Sequence, residues 1–249
     1  MSGHSKWSTI KRQKGVADAQ RGQVFTKLSK EIILAAKTGG ADPGSNFRLR
    51  LAVQKAKENN MPADNIKRAI ERGAGGGEGA QLEEITYEGY GPAGTAVIVE
   101  TATDNRKRTV AEVRSAFARA GGNLGENGSV SWIFDNRGVI NVTPNGKDAD
   151  DVAMHAIDAG ADDVQVSGDS IDVYTAPGDL EKVKKALEDN GIEVASAEAE
   201  RVPKTTVQLD EKHAQQMLRL VEKLEALDDV QKVYFNAEIS DDVYASYAG

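Results

Sequence analysis

The sequence predicts an α+β protein: a basic N-terminal three-helix bundle followed by two ferredoxin-like α/β domains, one inserted into the other. Three observations predict it. Apolar residues recur at helical spacing as far as Gly73, then give way to short β-type runs alternating with helices. A complete βαββαβ order lies within residues 138–197, flanked by an incomplete ββαβ before it and βαβ after it. Charge is sorted along the chain: residues 1–73 hold 15 basic and 6 acidic residues, the other 176 hold 16 and 33, and the whole carries −8.

Taken in order, residues 1–21 lack a hydrophobic period, with only Trp7, Ile10 and Val16 large and apolar, so the arm buries little by itself. A helix follows from about Gln23 to Lys37, closed by Gly39–Gly40. After the turn at Asp42–Ser45, a second helix spans about Asn46 to Glu58. Pro62 suits the first position of a third, which Gly73 ends. The run Gly73–Gly79 has no Gly-Lys-Ser/Thr and follows a helix, so it reads as a linker and not as a phosphate loop.

Leu82–Tyr90 and Thr95–Thr101 read as strands around the turn 89–94. Arg106–Ala120 reads as a helix, and the glycine-rich loop 121–128 leads into an expected strand at Ser129–Phe134. The βαββαβ unit comprises strand Gly138–Thr143, helix Asp148–Ala159, strands Asp163–Val166 and Ser170–Thr175, helix Asp179–Asn190 and strand Ile192–Ala197. Strand Thr206–Leu209, helix Asp210–Leu227 and strand Val230–Asn236 close the chain. The domains expected are therefore 1–75, a basic helical domain with its arm; 80–134 with 204–249, one discontinuous α/β domain; and 135–203, the insert. Residues 136–203 hold 6 basic and 15 acidic residues, a poor surface for nucleic acid, which leaves a protein partner open for this unit.

Composition excludes several classes. With no cysteine there are no disulfides, thiolate metal sites or cysteine nucleophiles. No run approaches the roughly 18 apolar residues of a membrane helix, and no apolar core follows the basic start as in a signal peptide. The basic start merges into the first helix, so a cytoplasmic protein is expected. His4, His155 and His213 have no partner at metal-ligand spacing. No serine sits at a strand–elbow–helix turn. Asp148, Asp150, Asp151, Asp162 and Asp163 occupy helix starts and turns, where acids are favoured in any case. No catalytic set, metal or cofactor is expected.

What remains is cationic. Residues 1–30 hold seven cations (Lys6, Lys11, Arg12, Lys14, Arg21, Lys27, Lys30) and one anion, Asp18. Arg48 and Arg50 add charge to the second helix. Trp7 lies among these cations, where it either stacks on a base or packs down as an anchor. In Thr103-Asp-Asn-Arg-Lys-Arg-Thr109, Asp104 or Thr103 can cap the helix, and Asn105, Arg106, Lys107 and Arg108 crowd its first turn. Cations at a positive helix end are disfavoured by about 0.3–1 kcal/mol each, so three together suit a bound phosphate better than an idle surface loop.

MSGHSKW, RGQVFTKLSKEI, NFRLRLAVQKAKENNMPADNIKRAIERG, YEGYGPAG and TDNRKRT resemble the YebC family over the full length. That family includes the mitochondrial translational activator of cytochrome oxidase. The resemblance implies a helical N-terminal domain and two α/β domains, with Lys6, Lys11, Arg12 and Lys14 facing nucleic acid. Lys107 stands where asparagine is common, which adds charge. It implies a non-enzymatic regulator that binds DNA in transcription. The alternative it carries is a ribosome-associated translation factor that binds ribosomal RNA and relieves stalling on proline-rich stretches.

Overall fold

The computed structural model describes Trp7 and residues 18–75, 81–167 and 170–248, without the side chains of 18–21, 167 and 248. It divides into two compact units, residues 134–204 and the chain on either side of them. The fold is α+β, a helical N-terminal region followed by α/β sheets, as the hydrophobic period implies.

Helix α1 (Asp18–Gly39) packs against α2 (Phe47–Glu58) and α3 (Ala63–Ala74). It starts earlier than Gln23 despite the glycine at 22, because Gln23 is bound by the carbonyl of Ala226 and the carboxylate of Asp228, which fixes the first turns. Asn46 caps α2 by accepting from the Leu49 N–H, while its own amide donates to the carbonyls of Ala35 and Gly40. One side chain thus satisfies the end of one helix and the start of the next. Leu28, Ile32, Leu49, Ala52, Ile66 and Ala69 form the bundle core, which Leu82, just before the following sheet, and Ala102 within it complete.

Strands β1 (Glu83–Tyr90) and β2 (Ala96–Thr103) form an antiparallel hairpin, followed by α4 (Arg106–Arg119) and the two-residue β3 (Asn123–Leu124). β3 pairs with β1 on the side away from β2, so β2–α4–β3 is a split βαβ with β1 between its strands. The expected strand at 129–134 is corrected: residues 131–133 are a single helical turn and the next strand starts at Phe134. The cause is distant in the chain: the N–H groups of Val130 and Ser131 are taken by the Glu88 carboxylate and not by a ladder.

The second unit is β4 (Phe134–Thr143), α5 (Ala149–Ala159), β5 (Asp163–Ser167), β6 (Ser170–Thr175), α6 (Leu180–Asp189) and β7 (Glu193–Pro203). Its antiparallel sheet has the order β5-β6-β4-β7, the ferredoxin-like arrangement expected from βαββαβ. Ile140 faces Val173, and Val142 faces Ile171, beneath the buried Val152, Val183 and Leu187 of the helices.

The chain then returns with β8 (Val207–Gln208), α7 (Glu211–Glu225), β9 (Val230–Phe235), β10 (Ala237–Glu238) and α8 (Asp241–Ala248). β9 pairs with β2, giving the order β3-β1-β2-β9 from segments on both sides of the insert. β8 does not join that sheet but pairs in parallel with β10. Helix α8, which the sequence reading omitted, adds Val243 and Tyr244 to the core of Val97, Val99, Phe117, Met217, Leu220, Val221 and Phe235. No helix among the described residues is long and apolar enough to cross a membrane.

Candidate nucleic-acid interface

The start of α4 is organised by Asn105, whose side chain accepts from the Arg108 N–H at 3.1 Å. Asn105 is therefore the cap expected of Asp104 or Thr103, and the Thr103 hydroxyl instead accepts the Asn105 N–H at 2.9 Å. Below this turn sits Asp229, 2% exposed, at the foot of β9. Its carboxylate receives the Lys30 ammonium at 2.6 Å, the Arg108 guanidinium at 2.8 Å and the hydroxyls of Thr109 at 2.7 Å and Thr103 at 3.2 Å. Burial alone would raise its pKa. The hydrogen bonds from Lys30, Arg108 and Thr109 outweigh that and hold it at about 2.

Two of the expected cations have protein partners. Arg108 binds Asp229 and, at 3.0 Å, Asp104. Lys30 binds Asp229 and the Asp228 carbonyl. Lys27 likewise donates to the Glu225 carbonyl at 2.6 Å. The inner face of α1 is thus fixed on the segment between α7 and β9, with Lys27 reaching the last carbonyl of the preceding helix, where positive charge is favoured.

Arg48 and Arg106 also have protein partners, but at the surface. Arg48 forms a two-pronged pair with Glu84, and Arg106 does so with Glu83, whose pKa this bond lowers. Arg50 donates to the carbonyls of Pro43 and Gly44 and lies over the Phe47 ring. Lys6, Lys11, Arg12, Lys14 and the Arg21 side chain lie outside the described residues. Trp7 is described, and it is 4% exposed in the core beside α7 and α8. Its indole N–H donates to Glu225 at 3.1 Å and its ring meets Tyr247 edge to face. The stacking role offered for Trp7 is corrected to packing, because a buried ring presents no free face.

Sequence reading missed two features. Arg114 and Arg119 are exposed on α4 and, like the Lys107 already singled out, have no ion pair among the described residues. Lys107 and Arg114 are seven apart, two turns along one stripe, a spacing that a helical projection would have exposed. The second is the loop after β3. Glu88, 6% exposed, accepts the N–H groups of Gly128, Val130 and Ser131 at 2.7–2.8 Å. Burial raises its pKa, but the three backbone donors bring it below the ordinary range. Nothing in the local sequence marks Glu88, since its partners lie some 40 residues on. No group of three His, Cys, Asp or Glu among the described residues is placed to hold a metal.

A helical head with net positive charge, a split-βαβ sheet and an acidic ferredoxin-like insert define a three-part class of α+β protein. The chain belongs to the TACO1/YebC family: a model described as the TACO1/YebC protein N-terminal domain matches residues 5–76, and one described as the TACO1/YebC second and third domain matches 82–237. Relatives named "Probable transcriptional regulatory protein" include one from Dehalococcoides mccartyi, 56% identical over 99% of this chain and 98% of its own length. Another, from Herpetosiphon aurantiacus, is 55% identical over 100% of this chain and 99% of its own. The crystal structure of a conserved hypothetical protein from Aquifex aeolicus superposes with a TM-score of 0.83 at 47% identity, covering 90% of this chain and 93% of that one.

Proposed function

We propose that this chain is a non-enzymatic, nucleic-acid-binding regulator of gene expression that acts on DNA in transcription. The observation that carries the reading is charge segregation: 15 basic against 6 acidic residues in the first 73, and 16 against 33 in the rest. Such an end attracts a polyanion, which the acidic insert repels. The cations divide into two kinds. Lys30 and Arg108 are held by a buried carboxylate and belong to the scaffold. The arm residues Lys6, Lys11, Arg12 and Lys14, with Lys107, Arg114 and Arg119, are the ones offered to phosphate. Arg48 and Arg106 stand between, because an exposed ion pair is worth only about 0–1 kcal/mol and a phosphate can exchange for its carboxylate at small cost. The names of the relatives support transcription as the process.

A second reading, RNA as the target, is favoured by an exposed Trp132 on the loop that Glu88 organises, since aromatic faces recognise unpaired bases. Charge reversal tests the shared reading. K107E/R114E/R119E should lower affinity for a labelled oligonucleotide at least tenfold and flatten the salt dependence by roughly 0.7–0.9 per lost contact. Unchanged affinity would remove α4 from the interface. Crosslinking in cells followed by sequencing of the attached nucleic acid separates DNA from ribosomal RNA.

A further inference from the structure

We propose that Trp132 is a stacking site for an unpaired nucleobase. The proposal rests on the nucleic-acid reading and adds to it a residue and a ligand class. Trp132 is 68% exposed, whereas the other tryptophan, Trp7, is 4% exposed. Leaving so large an apolar ring in water runs against the usual fate of tryptophan.

The ring is held, not loose. Its indole N–H donates to the Ser129 carbonyl at 3.1 Å. That carbonyl also accepts the Tyr90 hydroxyl at 3.0 Å. Glu88 fixes the N–H groups on either side of Ser129, at Gly128, Val130 and Ser131. A nearly buried carboxylate is thus used to set the path of one short turn, and the product of that path is an outward indole. Because its N–H is already bound, Trp132 offers a partner its π-face, which every base can use whatever its hydrogen-bonding edge.

One cation, Arg119, lies toward the same edge and gives a phosphate a partner beside the ring. α4 ends at Arg119, and the chain then crosses the end of β1 so closely that a Cβ on Gly122 would lie 2.3 Å from the Tyr90 carbonyl oxygen. β3 pairs there with Gly89 and Tyr90, and the turn bearing Trp132 is fastened to Glu88 and Tyr90. The last turn of α4, with its unpaired Arg119, and Trp132 therefore converge on one end of β1. A flat outward ring with one arginine, Arg119, at the same end of β1 suits a strand whose bases splay out while a phosphate meets that arginine. In a duplex the base faces are already stacked, so the proposal specifies unpaired nucleotides.

The full chain carries the test. Intrinsic fluorescence is titrated with oligo(U) and with a blunt DNA duplex, and anisotropy of the same labelled oligonucleotides reports total binding. Oligo(U) should quench emission in step with the anisotropy curve, and W132F, which keeps only the buried Trp7, should lose the quenching while binding within a few-fold of wild type. W132A, at an exposed position, should keep the wild-type melting temperature and bind oligo(U) about 5- to 150-fold more weakly. The proposal is overturned if anisotropy shows salt-dependent binding but emission is unquenched and W132A binds like wild type. Equal quenching by the duplex would overturn the restriction to unpaired bases. Absence of binding by anisotropy at low salt would remove the nucleic-acid reading itself, and this proposal with it.

Discussion

Asp229 shows how one residue decides the role of several others. It converts Lys30 and Arg108 from surface charge into internal ties, and it joins α1 to the α4–β9 edge. D229N keeps the shape but removes the charge, leaving Lys30 without an anionic partner among the described residues and Arg108 with Asp104 alone; the expected loss is about 3 kcal/mol in denaturant unfolding, the low end for a broken buried pair because both cations can reach water. The pH dependence has a definite sign. A carboxyl with a folded pKa of about 2 stabilises the fold above its unfolded value of about 3.9 and loses that contribution as pH falls towards 2. Wild-type stability should therefore drop across that window, and D229N should show a shallower drop. Glu88 obeys the same logic on a different structure. E88Q replaces one acceptor with a donor facing backbone N–H groups, which should cost about 1–3 kcal/mol and change the emission of Trp132. Unchanged emission would mean that Glu88 does not set the path of the turn.

At the scale of elements, the bundle depends on close approach of α1 and α3. A Cβ on Gly73 would lie 2.5 Å from the Ile33 carbonyl oxygen and 2.7 Å from the Ala36 Cβ, so G73A should destabilise the head by about 1–3 kcal/mol. Differential loss of hydrogen-exchange protection in α1–α3 measures this; uniform protection across the chain would count against it. The same elements show what sequence reading can reach. Helices α1–α3 and the βαββαβ insert were legible because their apolar periods are long and their turns carry Gly, Pro or Asp. The strand expected at 129–134 was not there, because Ser129–Ile133 follow a carboxylate 40 residues earlier in the chain. Helix α8 escaped because its apolar residues are few and acquire their partners from elements distant in the chain, the far N-terminal Trp7 among them. The site divides in the same way: the cations were visible in the sequence, while which of them are tied to carboxylates depends on contacts spanning up to about 200 positions.

For the whole molecule, sorting of charge is the property on which the proposed function depends. Internal pairing of Lys30, Arg48, Arg106 and Arg108 reduces the free positive charge of the head and α4, and shifts the weight to the arm and to Lys107, Arg114 and Arg119. The insert, with 6 basic and 15 acidic residues between 136 and 203, should stay off the polyanion. The most direct measurement is the affinity of the full chain for labelled DNA and RNA as a function of salt, repeated for K11E/R12E/K14E. Affinity should fall by about 0.7–0.9 log units per log unit of salt for each phosphate neutralised, and the triple reversal should weaken binding and flatten that slope by roughly 2–3. A flat salt response in the wild type, or a triple variant that binds as wild type does, would contradict a cationic head as the part that holds nucleic acid.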